Sequence, residues 1–255
     1  MRARPSGGTA PGVARSIDRE RVIAMTRGWT GAALLGAASV VGYRKVLRPW
    51  HERWGATDEE VNAPLPGDGL TAEPAAQVTR AITIDAPPED VWPWVIQLGA
   101  DRGGFYSYDW LENLFALGIH STDEIVPEWQ QRSVGDLMYA AANGGGGWYV
   151  MEVRPNEALV VKTANLETSQ PVSRDEPPAF WEFTWAFVLK EQPDGTTHFL
   201  VRERVGFGKR ISQFLMSPVG FVSFVMTRKM MRGIKDRAEA HRGRSSSRPA
   251  TAKAG

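Results

Sequence analysis

One stretch of alternating apolar residues, 180–207, constrains the fold of this chain more than any other part of the sequence. In its first half the apolar side chains recur at every second position: Trp181, Phe183, Trp185, Phe187 and Leu189. A period of two is that of an extended strand, whose successive side chains point to opposite faces. Turn residues follow at 193–195, and the same period resumes at Phe199, Val201, Val205 and Phe207. The stretch therefore predicts a long antiparallel hairpin with one heavily aromatic face.

The residues after the hairpin predict a long helix that covers this aromatic face. Ser217 and Pro218 suit the N-cap and the first turn of a helix. Apolar residues then recur four apart, at 222, 226, 230 and 234, and the pattern continues to Arg237. Because a sheet face this apolar must be buried, we expect the hairpin to pack against this helix.

Composition and charge narrow the classes of protein to which the chain could belong. Its 255 residues, 42% of them hydrophobic, are enough for one globular domain with tails. The absence of cysteine excludes disulfides, thiolate zinc sites and cysteine nucleophiles. The net charge of +1 is segregated: residues 1–27 carry +4, residues 208–255 carry +9, and the middle carries −12. An acidic domain between basic ends argues against nucleic-acid binding, and the ends suit either an anionic membrane surface or solvated tails.

The N-terminal region contains a candidate membrane helix, residues 25–47. Residues 1–24 form a basic tail without periodicity, for which we expect disorder. The run from Gly28 to Tyr43 has no charge, and the longer segment reaches the roughly 20 residues that a bilayer requires if Arg27 and Arg44 extend toward the headgroups. A secretory signal or a buried helix would explain the same run. We expect a single-pass anchor of undetermined orientation, with a cytoplasmic location as the alternative.

The order of the remaining elements predicts an α+β fold. A connector, 48–74, precedes a first strand at 78–84, a helix that opens at Pro87 and Pro88, and a second helix from Ser107 to Leu117. The apolar members of the second helix share one side: Trp110, Leu111, Leu114 and Phe115. Three strands of a meander, the hairpin and the long helix follow, so that helices are segregated from antiparallel strands. We place the globular domain at 75–241 and a disordered basic tail at 242–255.

Four motifs carry a resemblance to a known superfamily: PPEDVWPWVIQLG at 87–99, GGFYSYDWLENL at 103–114, VGDL at 134–137 and LVRERV at 200–205. With the element order, they resemble the SRPBCC superfamily, the helix-grip fold of START lipid-binding domains and polyketide cyclases. Over about residues 50–240 the chain is similar to bacterial members labelled polyketide cyclase or dehydrase. The resemblance implies a curved antiparallel sheet around the C-terminal helix, two short helices after the first strand, and a hydrophobic cavity. Some members hold lipids or other apolar molecules, and others catalyse cyclisation and dehydration.

Glu203 is the candidate catalytic residue, because it shares the predicted inner face of the hairpin with Val201 and Val205. A carboxylate buried without a partner has a raised pKa, which is one way to make a general acid or base. Two other interpretations remain open: a bulge could shift the strand by one residue, or an arginine of the neighbouring strand could pair with Glu203. Arg202 and Arg204 fall on the opposite face, where we expect solvated charges.

Aromatic and methionine side chains would line the cavity of a helix-grip fold. The predicted lining is Trp181, Phe183, Trp185, Val201, Tyr106, Trp110, Met226 and Met230. Methionine adapts to varied apolar ligands, which suits such a lining. A polar group surrounds Trp110 and would either face the cavity mouth or simply begin a helix: Tyr106, Tyr108, Asp109, Glu112 and Asn113.

No motif indicates a metal or a cofactor. The four histidines, at 51, 120, 198 and 241, show no ligand spacing, so we expect no metal site. The glycine run 144–147 joins two predicted strands and precedes no helix of the phosphate-binding type, and the sequence contains no GxSxG or Walker motif. We expect no cofactor.

The predicted function is binding, in transport or sensing, of a hydrophobic small molecule or lipid in an internal cavity. The partners would be that ligand and a membrane contacted through the N-terminal helix, without nucleic acid. A non-enzymatic role is favoured, and the competing class is a cyclase or dehydratase that uses Glu203. A non-catalytic interaction module is the third class, which Trp50 and Trp54 would serve as exposed contacts.

Overall fold

The computed structural model describes residues 38, 39, 41–114, 116–172, 181–207 and 219–246. The chain divides into two compact units, Met1–Pro49 and Trp50–Gly255, and the second contains the sheet. Within the described residues, no helix combines the length and the apolar character that a bilayer crossing requires. The candidate membrane segment 25–47 lies mostly outside them, because only 38, 39 and 41–47 of it are described.

The described part of the chain has an α+β architecture, as the sequence predicts. The strands are β1 (Ala76–Ile84), β2 (Leu137–Tyr139), β3 (Gly147–Arg154), β4 (Ala158–Asn165), β5 (Gln170–Pro171), β6 (Trp181–Glu191) and β7 (Thr197–Phe207). The helices are α1 (Arg48–Glu52), α2 (Asp58–Asn62), α3 (Pro88–Ile96), α4 (Asp109–Leu114) and α5 (Val219–Ser246). The strands form one curved antiparallel sheet in the order β1-β7-β6-β4-β3-β2, with β5 paired to β4. A long C-terminal helix packed on a curved sheet defines a helix-grip-like fold.

The predicted hairpin is confirmed. β6 and β7 pair along their whole length, from Trp181 opposite Phe207 to Glu191 opposite Thr197. The Asp194 carboxylate accepts hydrogen bonds from the backbone N–H and the hydroxyl of Thr196, which fixes the turn between the strands. This pairing places Glu203 directly opposite Trp185, on the face of the sheet that α5 covers.

The inner face of the sheet, defined as the one against α5, carries the main core. Buried residues of α5 and α3 meet there with apolar residues of the strands, among them Met230, Ile234, Trp94, Phe187 and Val201. The sequence predicts one buried stripe along α5, with apolar residues spaced four apart. This prediction is wrong for the first residue of the stripe, because Val222 is 55% exposed. With 3.6 residues per turn, a spacing of four drifts by about 40° per step, so Val222 and Ile234 lie about 120° apart around the helix.

α4 is shorter than predicted, and two residues of the side expected to be buried face solvent; Leu111 is half-buried, and Phe115 lies outside the described residues. Trp110 and Leu114 are 70% and 72% exposed, whereas Glu112 is buried. Polar contacts determine this orientation: the Asp109 carboxylate accepts from the backbone N–H and hydroxyl of Ser121, and the Asn113 side chain bonds both backbone groups of Ile119. These contacts turn the opposite side of the helix, with Trp110 and Leu114, away from the protein.

The outer face of the sheet is covered by the connector, which corrects the prediction for Arg204, whose guanidinium donates to Thr71 and Gln77, and above all for Arg202. This side chain is 1% exposed rather than solvated. It donates hydrogen bonds to the carbonyl oxygens of Glu60, Val61 and Ala63, to Asp68 and to Thr79. A second apolar cluster lies on the same face: Leu65, Ala81, Ala158, Val160, Ala186, Val188 and Leu200. Residues of the connector therefore form a third layer, and Arg202 satisfies the carbonyl groups that this layer presents to the sheet.

Strand β1 lies at one edge of the sheet, and the connector also contacts that edge. The backbone N–H of Ala81 donates to the carbonyl oxygen of Trp54, at 2.9 Å. Gly55 approaches Ala81 so closely that a Cβ atom would overlap the Ala81 carbonyl oxygen, and its φ of +76° also favours glycine. The connector is thereby held against the middle of β1.

Candidate functional site

An aromatic cluster on the inner face of the sheet is the centre of the candidate site. It consists of Phe105, Trp148, Phe183, Trp185 and Phe187, and Trp185 contacts all four others. The ring centroids of Trp185 and Phe187 are 4.7 Å apart, and those of Trp185 and Trp148 are 5.6 Å apart. The alternation of β6 supplies three members, while β3 and the loop before α4 supply Trp148 and Phe105. Three of the rings, those of Trp148, Phe183 and Trp185, stay partly exposed.

Two indole N–H groups in this cluster have no acceptor among the described residues. Nε1 of Trp148 and Nε1 of Trp185 are shielded from solvent, and neither forms a hydrogen bond in the described structure. A polar group left unpaired in this way costs about 1–3 kcal/mol. Trp94 shares this property, but its whole side chain is inside the core. The two donors of the partly exposed cluster are therefore candidates for hydrogen bonds to a bound molecule, which would reach them by a shift of the rings.

The predicted cavity residues divide into three groups. Trp181, Phe183 and Trp185 form a continuous row of ring contacts, and Trp181 at its outer end is 38% exposed. Tyr106, Val201 and Met230 are fully buried members of the core, while Met226 is half-buried and accepts a hydrogen bond from Ser107 at its carbonyl oxygen. Trp110 does not join them, because α4 turns it into solvent.

Tyr106 is held inside the core and does not present its hydroxyl group to solvent. The hydroxyl accepts a hydrogen bond from Nε2 of Gln97 at 2.8 Å, and the ring lies against Trp94 and under the guanidinium of Arg237. Burial raises the pKa of the Tyr106 phenol above its ordinary value. This tyrosine therefore supports the core as a neutral hydrogen-bonding group.

Glu203 pairs with an arginine of the neighbouring strand. Arg80 of β1 donates to its Oε1 at 2.7 Å, and the hydroxyl groups of Thr227 and Ser223 on α5 donate to Oε1 and Oε2 at 2.8 Å each. Arg80 also donates to the carbonyl oxygen of His51. Three donors occupy both carboxylate oxygens, so the premise of an unpartnered carboxylate fails. The arrangement suits a residue that joins β1, β7 and α5.

Glu112 is the buried carboxylate that lacks partners at one oxygen. Its Oε2 has no hydrogen bond among the described residues. Burial, and after it the nearby charge of Asp109, raises the pKa of Glu112 to about 7. The sequence places Glu112 in the polar group around Trp110, but its burial depends on the long-range contacts of α4 and no local pattern indicates it.

A second concave feature lies on α5 and was not predicted. It is a partly open cleft of about 560 Å³. Its lining is Ile82, Tyr108, Phe224, Val225, Arg228, Lys229, Arg232, Lys235 and Asp236. The signal in the sequence is the cluster of cations at 228, 229 and 232 within the predicted helix. As for metals, no group of three possible ligand residues occurs in the described ranges.

Comparisons with known proteins assign no family. No protein-family model matches the chain, and no curated protein matches it. Among solved structures, the chain is similar to a protein from Mesorhizobium loti at 17% identity, with a TM-score of 0.38, over 65% of this chain and 98% of that one. A hypothetical protein from Helicobacter pylori has 10% identity and a TM-score of 0.42, over 69% of this chain and 96% of that one. A protein from Nitrosomonas europaea has 12% identity and a TM-score of 0.40, over 70% and 99%. These likenesses are too weak to support an argument about function.

Proposed function

We propose that the protein binds a hydrophobic small molecule or lipid at the aromatic cluster, and that the ligand carries at least one hydrogen-bond acceptor. The observation that carries the proposal is the pair of shielded indole N–H groups, of Trp148 and Trp185, for which the described part of the chain provides no acceptor. Both belong to rings that are partly exposed and in contact with each other. A carbonyl, carboxylate or hydroxyl oxygen that reached either donor would pair with it and fix the orientation of the ligand.

Apolar burial would provide most of the affinity. Each Å² of apolar surface removed from water contributes about 25 cal/mol, so about 200 Å² contributes about 5 kcal/mol before the costs of association. Aromatic residues supply this surface with few rotamers to immobilise. The acceptor adds specificity, because an apolar ligand without one leaves the indole groups unpaired.

The test compares the purified full chain with a Trp185→Phe variant, which keeps an aromatic ring and removes one N–H. Mass spectrometry of the solvent extract should identify an apolar compound with an oxygen acceptor in the unmodified protein, and native mass spectrometry should show it bound in stoichiometric amount. The variant should retain at least about tenfold less of it, since one hydrogen bond and part of the ring contact are lost. Trp110→Phe, at a 70% exposed position, is the matched control and should retain the ligand fully.

Two results would contradict the proposal. The first is a protein without bound compound that also fails to bind apolar carbonyl compounds added at micromolar concentration. The second is equal retention by the unmodified protein and the Trp185→Phe variant. A cyclase or dehydratase activity stays a prediction without support from the contacts of Glu203, and membership of the SRPBCC superfamily stays an expectation from the resemblance.

The membrane anchor at residues 25–47 is a separate part of the proposal. It rests on the uncharged run Gly28–Tyr43 between basic residues. The boundary between the two compact units, after Pro49, gives the place for a deletion. The full chain should sediment with membranes after cell lysis, and a chain that begins at Trp50 should remain in the supernatant. Identical partitioning of the two chains would show that the anchor is wrong.

A further inference from the structure

The cleft on α5 lies on a different side of the helix from the aromatic cluster. Met230, Met231 and Ile234 are the side of α5 buried in the core, whereas the cleft is lined by residues such as Arg228, Arg232 and Asp236. Its volume of about 560 Å³ is that of a small-molecule site. The cleft therefore needs an explanation independent of the proposed function.

Three positive charges lie within about one turn of α5 in this cleft. The guanidinium groups of Arg228 and Arg232 lie 5.1 and 5.9 Å from the centre of the same Trp54 ring. The ammonium group of Lys229 lies 6.0 Å from the centre of the Tyr108 ring. Like charges four residues apart on a helix repel each other. Stacking on aromatic rings offsets part of this repulsion but neutralises none of the charge.

No carboxylate of the described residues neutralises these cations. None of Arg228, Lys229 and Arg232 takes part in an ion pair there, whereas the neighbouring Lys235 is paired with Glu239. Asp236, the carboxylate in the lining, is not within ion-pair distance of them. The Nε of Arg228 is in addition shielded from solvent and has no acceptor within the described ranges. An anionic group bound between the three side chains would supply both the missing charge and the missing acceptor.

Apolar side chains form another part of the same lining. Ile82, Phe224 and Val225 contribute them, from β1 and from α5. A free inorganic anion would contact only the cations, and a molecule with an apolar portion would cover both parts of the cleft. We propose that this cleft binds an amphiphilic anion, a molecule with a phosphate or carboxylate head held by Arg228, Lys229 and Arg232 and an apolar chain against Ile82, Phe224 and Val225.

The experiment measures the binding of dodecyl phosphate to the full chain by isothermal titration calorimetry, below the concentration at which the probe forms micelles. Dodecanoate tests a carboxylate head, inorganic phosphate tests the head alone, and dodecyl maltoside tests the chain with a neutral head. We expect dodecyl phosphate to bind at least about tenfold more tightly than inorganic phosphate or dodecyl maltoside. The affinity should fall with added salt because the cleft is partly open to solvent.

The variant Arg228→Gln/Arg232→Gln should weaken the binding of dodecyl phosphate at least about tenfold. The matched control, Arg154→Gln/Lys190→Gln, removes the same charge from positions outside the cleft and should bind the probe as the unmodified chain does. If the cleft variant unfolds at a lower temperature, Lys229→Gln takes its place, because the Lys229 side chain does not stack on Trp54. This variant should weaken the binding of dodecyl phosphate about threefold. Mass spectrometry of the solvent extract of the same variants scores the proposed function separately, so its failure and the failure of this inference are distinguishable.

Four results would overturn the inference. Equal affinity for dodecyl phosphate and dodecyl maltoside would exclude an anion-binding role, and equal affinity for dodecyl phosphate and inorganic phosphate would exclude the apolar part. An unchanged affinity in both cleft variants would exclude this location. Vesicles that contain about 30% phosphatidylglycerol test whether the binding partner is a membrane surface or a single ligand molecule. Binding to these vesicles without binding to monomeric dodecyl phosphate or dodecanoate would replace the cleft by a membrane-contact surface.

Discussion

Glu203→Gln is the substitution whose effect follows most directly from the structure. Arg80 and Glu203 form an ion pair of 2.7 Å whose side chains are 1% and 7% exposed. Glutamine keeps the shape of the side chain and removes its charge, so Arg80 is left charged, buried and without a counter-ion. Breaking a buried pair in this way typically costs about 3–5 kcal/mol. That is a large share of the about 5–15 kcal/mol by which a folded domain is stable.

Urea unfolding of the full chain, followed by tryptophan fluorescence, measures this cost. With a slope of about 2 kcal/mol per molar urea, a loss of about 4 kcal/mol lowers the unfolding midpoint by about 2 M. Glu152→Gln removes one partner of the ion pair between Glu152 and Arg154, whose side chains are both partly exposed, and should change the free energy of unfolding by less than about 1 kcal/mol. It is the matched control for the loss of one carboxylate charge.

The double variant Arg80→Met/Glu203→Leu separates the contribution of the ion pair to stability from the cost of burying an unpaired charge. Apolar side chains of similar volume often replace a buried pair at little cost, so the double variant should recover most of the stability that Glu203→Gln loses. A Glu203→Gln chain within about 1 kcal/mol of the unmodified protein would refute the reasoning. The same measurement bears on catalysis, because a loss of activity in this variant would first have to be separated from a loss of folded protein.

Three further predictions concern other parts of the domain. The pKa of Glu112 is raised from 4.5 to about 7, so its folded form binds more protons than the unfolded chain in that interval and stability falls as pH rises through it. At about 1.4 kcal/mol per pKa unit, Glu112→Gln should stabilise the protein at pH 8 by up to about 3 kcal/mol and have little effect at pH 4, measured as thermal unfolding midpoints. Arg202→Met should lower the free energy of unfolding by about 3 kcal/mol or more, because several buried acceptors lose their donor; Lys190→Met is the control in urea titrations. Gly233→Ala should destabilise the domain by about 1–3 kcal/mol, since a Cβ atom would overlap the carbonyl group of Tyr106, whereas Gly243→Ala meets no neighbour and should be neutral or stabilising in the same thermal assay.

The sequence predicts the parts of the fold that have a strong local period. β6 and β7 alternate over eleven residues each, and the structure contains both as a paired hairpin. α3 begins at Pro88, next to the predicted Pro87-Pro88 opening. α5 continues to Ser246, beyond the predicted Arg237, because contacts of Arg242 with Asp85 hold its last turns. In each case the local pattern identifies the element, and long-range contacts determine where it ends.

The candidate site is less predictable because its features depend on pairings between distant residues. The period of β7 places Glu203 on the inner face, but it does not show that Arg80, 123 residues away, lies beside it. The burial of Arg202 depends on a connector whose sequence has no period, so its packing on the outer face could not be inferred. The orientation of α4 follows from Asp109 and Asn113, two polar residues that outweigh the apolar pattern of Trp110 and Leu114.

The contact between the connector and β1 has a consequence for the association of this protein with other chains. A strand at the edge of a sheet presents free backbone donors and acceptors, to which a strand of another molecule can pair and begin aggregation. Here the carbonyl oxygen of Trp54 accepts from Ala81 at the middle of β1, so the edge offers no uninterrupted ladder. At the opposite edge β2 has only three residues, which leaves little length for pairing. Loss of the Trp54–Gly55 segment would therefore expose a nine-residue edge strand, β1, and turn the domain into a template for fibril-like growth.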